Sequence, residues 1–262
     1  MAEQAPLRPS QSFAGQASVP TDTHLSVVIP AYNEERRLPA TLDDVLTTLQ
    51  ARPYTSELLV VNDGSSDRTS EVTRSRTGGP VPVRLLVHPS GENRGKGASV
   101  RRGMLAAVGR YRLFMDADNS TTVDHVDHFW QFLDQGYDIV IGSREAEGAV
   151  VAVHQAWYKE LAGNLGNVLV RLLAVPGVYD TQAGFKLFTA RTVEDIFPRL
   201  TIDRWGFDIE ILAVARHLGY RVLEAPITWV NDPESKVGLS SYFEVLGEVW
   251  RIRRNLRSGR YG

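Results

Sequence analysis

The sequence predicts an α/β fold: one doubly wound, Rossmann-like domain on a mostly parallel sheet, with an amphipathic helix at its C-terminal end. Three observations predict it. Short apolar runs alternate with helical patterns of roughly ten to fifteen residues through the first half of the chain. Each run closes on turn-forming polar residues. Of 262 residues, 43% are hydrophobic, enough for one large core.

Taken in order, residues 1–24 are rich in Gln, Ser, Pro and Ala and lack the apolar segment of a signal peptide. They are expected to form a disordered lead. Residues 25–30 are an apolar strand ended by Pro30, and residues 34–50 have helical spacing, with Leu38, Leu42, Val45, Leu46 and Leu49 on one side. Strands follow at 57–62, 83–87, 111–115 and 139–142, with helices at 67–76 and 98–108 between them. The second half is less regular. Residues 155–174 read as an amphipathic helix, 183–189 as a strand, 207–218 as a helix, 220–229 as extended and 240–257 as the last helix. The expected division is a lead over 1–24, a catalytic domain over 25–239 and a basic amphipathic helix over 240–262. No stretch is apolar enough to span a bilayer; the nearest, 168–178, is broken by Arg171 and Pro176.

The composition excludes several functions. Without cysteine there are no disulfides, thiolate metal sites or cysteine nucleophiles, which fits a reducing compartment. A net charge of −2 argues against a nucleic-acid partner.

In parallel sheets ligands bind at the carboxyl ends of the strands. The notable polar groups fall there: Tyr32-Asn-Glu34, Asn62-Asp63, residues 116–120 and Ser143-Arg144. Asp116-Ala-Asp118 follows an apolar strand, and two carboxylates so placed suit a hard cation such as Mg²⁺ or Mn²⁺ that also binds phosphate. A solvated acidic loop is the plain alternative, and the strand-end position favours the metal. Tyr32 can flank a base and Glu34 can accept ribose or base protons; equally, Asn33 can cap a helix. Asp63 can accept the imide N–H of uracil, or the segment is a turn with Gly64 at positive φ. Asn93-Arg-Gly-Lys-Gly97 offers backbone amides and Lys96 to an anion, although it lacks the spacing of a P-loop. Arg144, Lys186, Arg204 and Lys236 are a scattered cationic set that, if convergent, handles more phosphate than one metal neutralises. In the last helix Tyr242, Val245, Leu246, Val249, Ile252 and Leu256 form an apolar stripe, and five arginines follow Val249. That pattern suits either an anionic membrane surface or packing on the domain.

Together these segments resemble the family-2 inverting glycosyltransferases, most closely the dolichyl-phosphate β-glucosyltransferase branch of the polyprenyl-phosphate sugar synthases. The resemblance rests on Val28-Ile-Pro-Ala-Tyr-Asn-Glu34, Val61-Asn-Asp-Gly-Ser-Ser-Asp67, Asn93-Arg-Gly-Lys-Gly97, Met115-Asp-Ala-Asp118, Gly142-Ser-Arg144, Asp180-Thr-Gln-Ala-Gly-Phe-Lys-Leu-Phe188, Arg204-Trp-Gly-Phe-Asp208 and Ser235-Lys236. It runs from about residue 25 to residue 254.

The resemblance implies a glycosyltransferase-A fold and transfer of a hexose, glucose by branch, from a UDP-sugar to a polyprenyl or dolichyl phosphate. It implies that Pro30, Tyr32, Glu34 and Asp63 hold the uridine. Asp116 supports ribose or metal, Asp118 ligates the metal and Arg144 holds the acceptor phosphate. Lys186, Arg204 and Lys236 are further phosphate or sugar contacts, and Asp208 is a base, a sugar-hydroxyl acceptor or a structural carboxylate. Ser120 stands where the mannosyl relatives carry a metal-binding Gln, which implies a thinner metal shell. The N-terminal anchor of the eukaryotic relatives has no counterpart in this sequence, so attachment is expected through the amphipathic helices, peripherally, on the cytoplasmic inner face of the cell membrane. Two other functions fit the first-half motifs: transfer to a soluble or glycan hydroxyl, and nucleotide-sugar binding without turnover.

Overall fold

A computed structural model of the chain describes residues 19–20, 22–151, 175–230 and 239–262, with the side chains of 239–243 excepted. The helix expected over 155–174 and Lys236 lie outside the described residues. The elements are β1 (Leu25–Ala31), α1 (Leu38–Gln50), β2 (Ser56–Asn62), α2 (Thr69–Arg74), β3 (Val83–Val87), α3 (Lys96–Ala106), β4 (Tyr111–Met115), α4 (Val126–Asp134), β5 (Ile139–Ser143), β6 (Val150–Val151), β7 (Phe185–Thr189), α5 (Ala190–Ile196), α6 (Phe207–His217), β8 (Val222–Pro226), β9 (Thr228–Trp229) and α7 (Leu239–Arg257).

Seven strands form one sheet in the order β3-β2-β1-β4-β7-β5-β8, and β6 pairs with β9 apart from it. Neighbours in the sheet run parallel except at β7, which is antiparallel to both β4 and β5. The mostly parallel sheet expected from the sequence is therefore present, with one reversed strand inserted. The strand order reverses direction at β1, between β2 and β4, so the crevice for a ligand opens beyond the ends of β1 and β4.

All seven residues of both β1 and β2 are buried, as expected of strands covered on both faces, and the buried Glu57 of β2 accepts the hydroxyl of Ser26 in β1 at 2.6 Å. Alternate residues serve opposite layers. Val28, Leu59 and Val61 join the core beneath α3 and α6, while Val27, Ile29, Leu58 and Val60 join the core beneath α1. Helix α3 approaches closely because residue 103 is glycine: a Cβ there would lie 2.3 Å from a methyl carbon of Val28. Helix α1 starts at Leu38, later than the pattern suggested. Pro39 sits in its first turn, where proline loses no hydrogen bond. Residues 35–37 are a turn instead.

Helix α4 was not evident from the sequence; it is nine residues long and buries only Val126 and Phe129. Helix α7 packs inward. Val245, Val249 and Ile252 of its stripe are buried in the same core as α6, and Asn255 and Tyr261 are buried behind it. Tyr261 donates its hydroxyl to Glu210 of α6 at 2.7 Å. Val245, Val249 and Ile252 of that stripe are thus occupied by the domain, while Leu246 stays 39% exposed.

Candidate active site at the carboxyl edge of the sheet

Two loops frame the crevice beside β1. Asn33, just past β1, takes a left-handed conformation with φ 54°. Its backbone N–H donates to Ser65 Oγ, and its side-chain oxygen accepts the N–H of Ser66, each at 2.9 Å. It laces two loops together and does not cap α1, whose N-cap is Arg37. Asn119, beyond β4, has φ 55°. Asparagine tolerates this region, and such conformations gather where loops carry function.

The predicted turn after β2 forms, with Gly64 at φ 74° and Asn62 Oδ1 accepting Ser65 N–H at 2.9 Å. A Cβ on Gly64 would collide with the backbone of residues 91–93, so glycine lets these loops touch. Asp63 reaches across that contact. Its two oxygens accept the backbone N–H groups of Arg94 and Gly95 at 2.8 and 2.9 Å. Asp63 is buried and anchors the loop that delivers Lys96. Gly95, at φ 103°, fits only without a Cβ, because Asp203 O would be 2.5 Å from it.

Lys96 opens α3 and places Nζ 2.5 Å from Asp116 Oδ1. Burial works against its charge, but Asp116 and Asp208 outweigh burial and raise its pKa. Asp118 is raised by burial and by Asp116, against a hydrogen bond from Ser120 N–H at 3.0 Å. The acidic pair beyond β4 therefore sits in a field that calls for positive charge, and the Lys96 ammonium supplies it. Gly184, just before β7, lies directly against this pair: a Cβ there would be 2.1 Å from Asp116 Oδ2.

Across β7 the cations divide into two kinds. Arg144, beyond β5, is gripped by Asp180, which accepts from Arg144 Nε and Nη2 at 2.8 Å each and from its backbone N–H at 2.9 Å. Burial raises the Asp180 pKa, but the Arg144 fork prevails and holds it below the usual carboxylate value. Asp180 is positioned in turn by Glu224 of β8, which accepts the N–H groups of Tyr179 and Asp180 and the hydroxyl of Ser143. The Arg144 guanidinium lies 5.2 Å from the Trp229 ring centroid and keeps 32% of its side-chain surface exposed.

Lys186 differs. Its side chain is fully buried in β7 and pairs with Asp208 of α6 at 2.5 Å, also donating to Ala183 O. The ion pair is buried beneath the site, and Lys186, implied as a phosphate or sugar contact, has its ammonium directed at Asp208. Asp208 is raised by burial, against Lys186 and Lys96. Arg204 is exposed on the loop before α6, its Cγ 3.1 Å from where a Gly95 Cβ would be.

Of the remaining predicted residues, Pro30 is buried in β1 opposite Val61. Tyr32 is exposed at the mouth. Glu34 is buried and binds Arg37 through both carboxylate oxygens, at 2.6 and 2.7 Å. The structure thus brings Asp63, Lys96, Asp116, Asp118, Lys186 and Asp208 into one connected cluster, with Arg144 on its Asp180 support nearby. Gly184 and Glu224 had no role assigned from sequence. A glycine beside a strand of large residues, and an acid within the otherwise apolar β8, were the available signals.

The chain matches the family model described as glycosyl transferase family 2 over residues 26–188. It is 35% identical to a dolichyl-phosphate β-glucosyltransferase of Dictyostelium discoideum, across 88% of this chain and 74% of that one. It is 40% identical to the Drosophila melanogaster protein of the same name, across 81% and 69%. Among solved structures, glucosyl-3-phosphoglycerate synthase from Mycobacterium tuberculosis shares the fold at 18% identity. With Mn²⁺, UDP and phosphoglyceric acid it has a TM-score of 0.63, covering 98% of this chain and 84% of that one. With Mg²⁺ and UDP it also scores 0.63, covering 97% and 85%.

Proposed function

The chain belongs to glycosyl transferase family 2 and has the glycosyltransferase-A fold, and from that premise we propose that it transfers glucose from UDP-glucose to a polyprenyl phosphate of the dolichyl type, with inversion at the anomeric carbon. The glucosyl and lipid-phosphate specificities rest on likeness to the dolichyl-phosphate β-glucosyltransferases. The observation that carries the choice of acceptor is the contrast between Arg144 and Asp208. The first is an oriented, partly exposed cation. The second, the candidate base, is spent on a buried lysine.

A hydroxyl acceptor needs a base to take its proton. A phosphate monoester, with its second pKa about 6, is already an anion near neutrality and needs positioning. Arg144 does this by charge, its orientation fixed through Asp180 and Glu224. One phosphate oxygen attacks the anomeric carbon in line, the bond from that carbon to the diphosphate oxygen breaks, and UDP leaves with the electron pair. Lys96, at the start of α3, stabilises the charge gathering on the diphosphate. Asp63 holds the loop that carries Lys96, and Tyr32, Glu34 and Pro30 line the uridine side. Arg204 flanks the same helix start, and Lys236 is a further phosphate contact.

Asp116 and Asp118 fit a divalent ion. They offer hard oxygen donors, and the cationic Lys96 already stands against Asp116. No group of three or more His, Cys, Asp or Glu suited to a metal occurs among the described residues, so Asp116 and Asp118 would hold the ion together with oxygens of the bound donor. When bound, Mg²⁺ or Mn²⁺ supplies neutralisation of the departing diphosphate. The soluble donor and lipid acceptor meet where a cytoplasmic enzyme rests peripherally on the inner face of the cell membrane.

Incubation with UDP-glucose, Mg²⁺ and a short polyprenyl phosphate tests this reading. Glucosylated prenyl phosphate is the expected product. UDP release independent of the lipid would point to a hydroxyl acceptor, and binding without release to a protein that only holds the donor.

A further inference from the structure

Helix α7 has a second face. Val245, Val249 and Ile252 are buried in the core shared with α6, yet Trp250 stands 67% exposed and Leu246, at the border of the apolar stripe, 39% exposed. Arg253, Arg254 and Arg257 follow at seven, eight and eleven residues from Leu246, and Trp250 at four, so all five project from one side of a helix of 3.6 residues per turn. Val249, Trp250 and the three arginines line a groove of about 360 Å³. The Arg254 guanidinium lies 6.0 Å from the Trp250 ring centroid.

The charge on this face is one-sided. After Glu248 the chain carries five arginines and no acid to its last residue. Arg251 alone of the five turns inward by a described bond, donating to Thr201 O at 2.5 Å. Glu248 is also directed inward, accepting Gly206 N–H at 2.7 Å. That bond ties α7 to the loop carrying Arg204, so the outer face of the helix is rigidly linked to the wall of the site.

We propose that this outer face, Leu246, Trp250, Arg253, Arg254 and Arg257, docks the protein on an anionic phospholipid surface. An exposed tryptophan beside arginines matches the interface of a bilayer, where an aromatic ring enters the headgroup region and cations pair with lipid phosphates. The inference deepens the proposed function, since it rests on the acceptor being a membrane lipid. It assigns contact to the exposed side of α7, which shares only Leu246 with the apolar stripe. Val245, Val249 and Ile252 cement the helix to the domain, and the face turned away from them meets the membrane.

The test is co-sedimentation of the full chain with phosphatidylcholine vesicles, with and without phosphatidylglycerol. The full chain binds the anionic vesicles, and added salt weakens binding. Replacing Arg253, Arg254 and Arg257 together with Gln lowers partitioning by about a hundredfold, at roughly fivefold per cation. Trp250→Ala lowers it independently, and being a surface truncation leaves the thermal midpoint intact. Turnover on a short, water-dispersed prenyl phosphate stays at the wild-type level in both variants. Equal sedimentation of variants and wild type overturns the proposal, as does equal binding to neutral vesicles. Binding to heparin without binding to vesicles also overturns it, marking a site for soluble polyanions. Absence of prenyl-phosphate turnover in the wild type overturns the proposed function and leaves the docking result standing.

Discussion

Replacing Gly184 with alanine should disable the acidic pair while leaving the fold in place. The added Cβ would lie 2.1 Å from Asp116 Oδ2, 2.6 Å from its Cγ and 3.0 Å from Oδ1, whereas ordinary contact begins at 3.4 Å. More than an ångström of movement is therefore required. Strand β7 cannot supply it readily, being hydrogen-bonded to β4 on one side and β5 on the other. Asp116 must swing instead and lose its 2.5 Å pairing with Lys96. Displacement of a reacting or binding group by about 1 Å commonly costs about a hundredfold in rate. The overpacking itself costs about 1–3 kcal/mol of stability. The assay is glucosyl transfer to a short prenyl phosphate across a Mn²⁺ titration, with a thermal melt on the same preparation. Gly79→Ala is the control, since nothing lies within 4 Å of a Cβ there. A folded Gly184→Ala protein with wild-type turnover and unchanged half-saturation by Mn²⁺ would refute the reasoning.

Further outcomes follow from the same geometry. Asp208→Asn leaves Lys186 buried without its counter-charge and should cost about 3–5 kcal/mol in a denaturant titration; lost turnover with unchanged stability and donor binding would restore Asp208 as a base. Arg144→Lys cannot reproduce the two-pronged contact with Asp180, so the KM for prenyl phosphate should rise more than tenfold while that for UDP-glucose holds; equal changes in both would remove Arg144 from the acceptor side. Burial, opposed by Asp63, lowers the His88 pKa. The unfolded chain then binds the proton more readily, so this contribution to stability is complete above about pH 6.5 and is lost as pH falls through the lowered folded value. Denaturation midpoints measured between about pH 8 and 5 should show the decline, and His88→Gln should flatten it.

The first-half strands were legible because β1 and β2 each carry a run of consecutive buried apolar residues, Val27–Ile29 and Leu58–Val61, closed by turn-forming residues. The polar residues expected at the strand ends do gather along one edge, although Asp63 and Gly64 there serve to join the loops after β2 and before α3. What misled was the meaning of charge in the second half. Lys186 belongs to a segment whose resemblance implied a phosphate or sugar contact, and its sequence neighbours do not reveal that β7 runs antiparallel and aims it at Asp208. Arg144 could be named, whereas the buried chain of Glu224 and Asp180 that orients it joins residues distant in sequence. Helix α4 was missed because nine residues with two buried side chains give too short a period to read.

The reversed strand also dictates an order of assembly. During synthesis β1 to β4 can pair as they emerge, since each finds its parallel neighbour among residues already made. Strand β5 cannot. Its neighbours are β7 and β8, so residues 139–143 wait for residues 185–189 before they have any edge to join. Nascent chains halted between these points carry a finished strand with unpaired amides on both sides, the exposed state most open to wrong partners. Completion of β7 bridges β4 to β5 and sets Gly184 against Asp116 in one event, and β8 then adds the outer edge. Insertion of the reversed strand and the seating of Gly184 against Asp116 therefore share a step, and a ribosome-stalled series of chain lengths that bring residue 189 out of the ribosome would locate it.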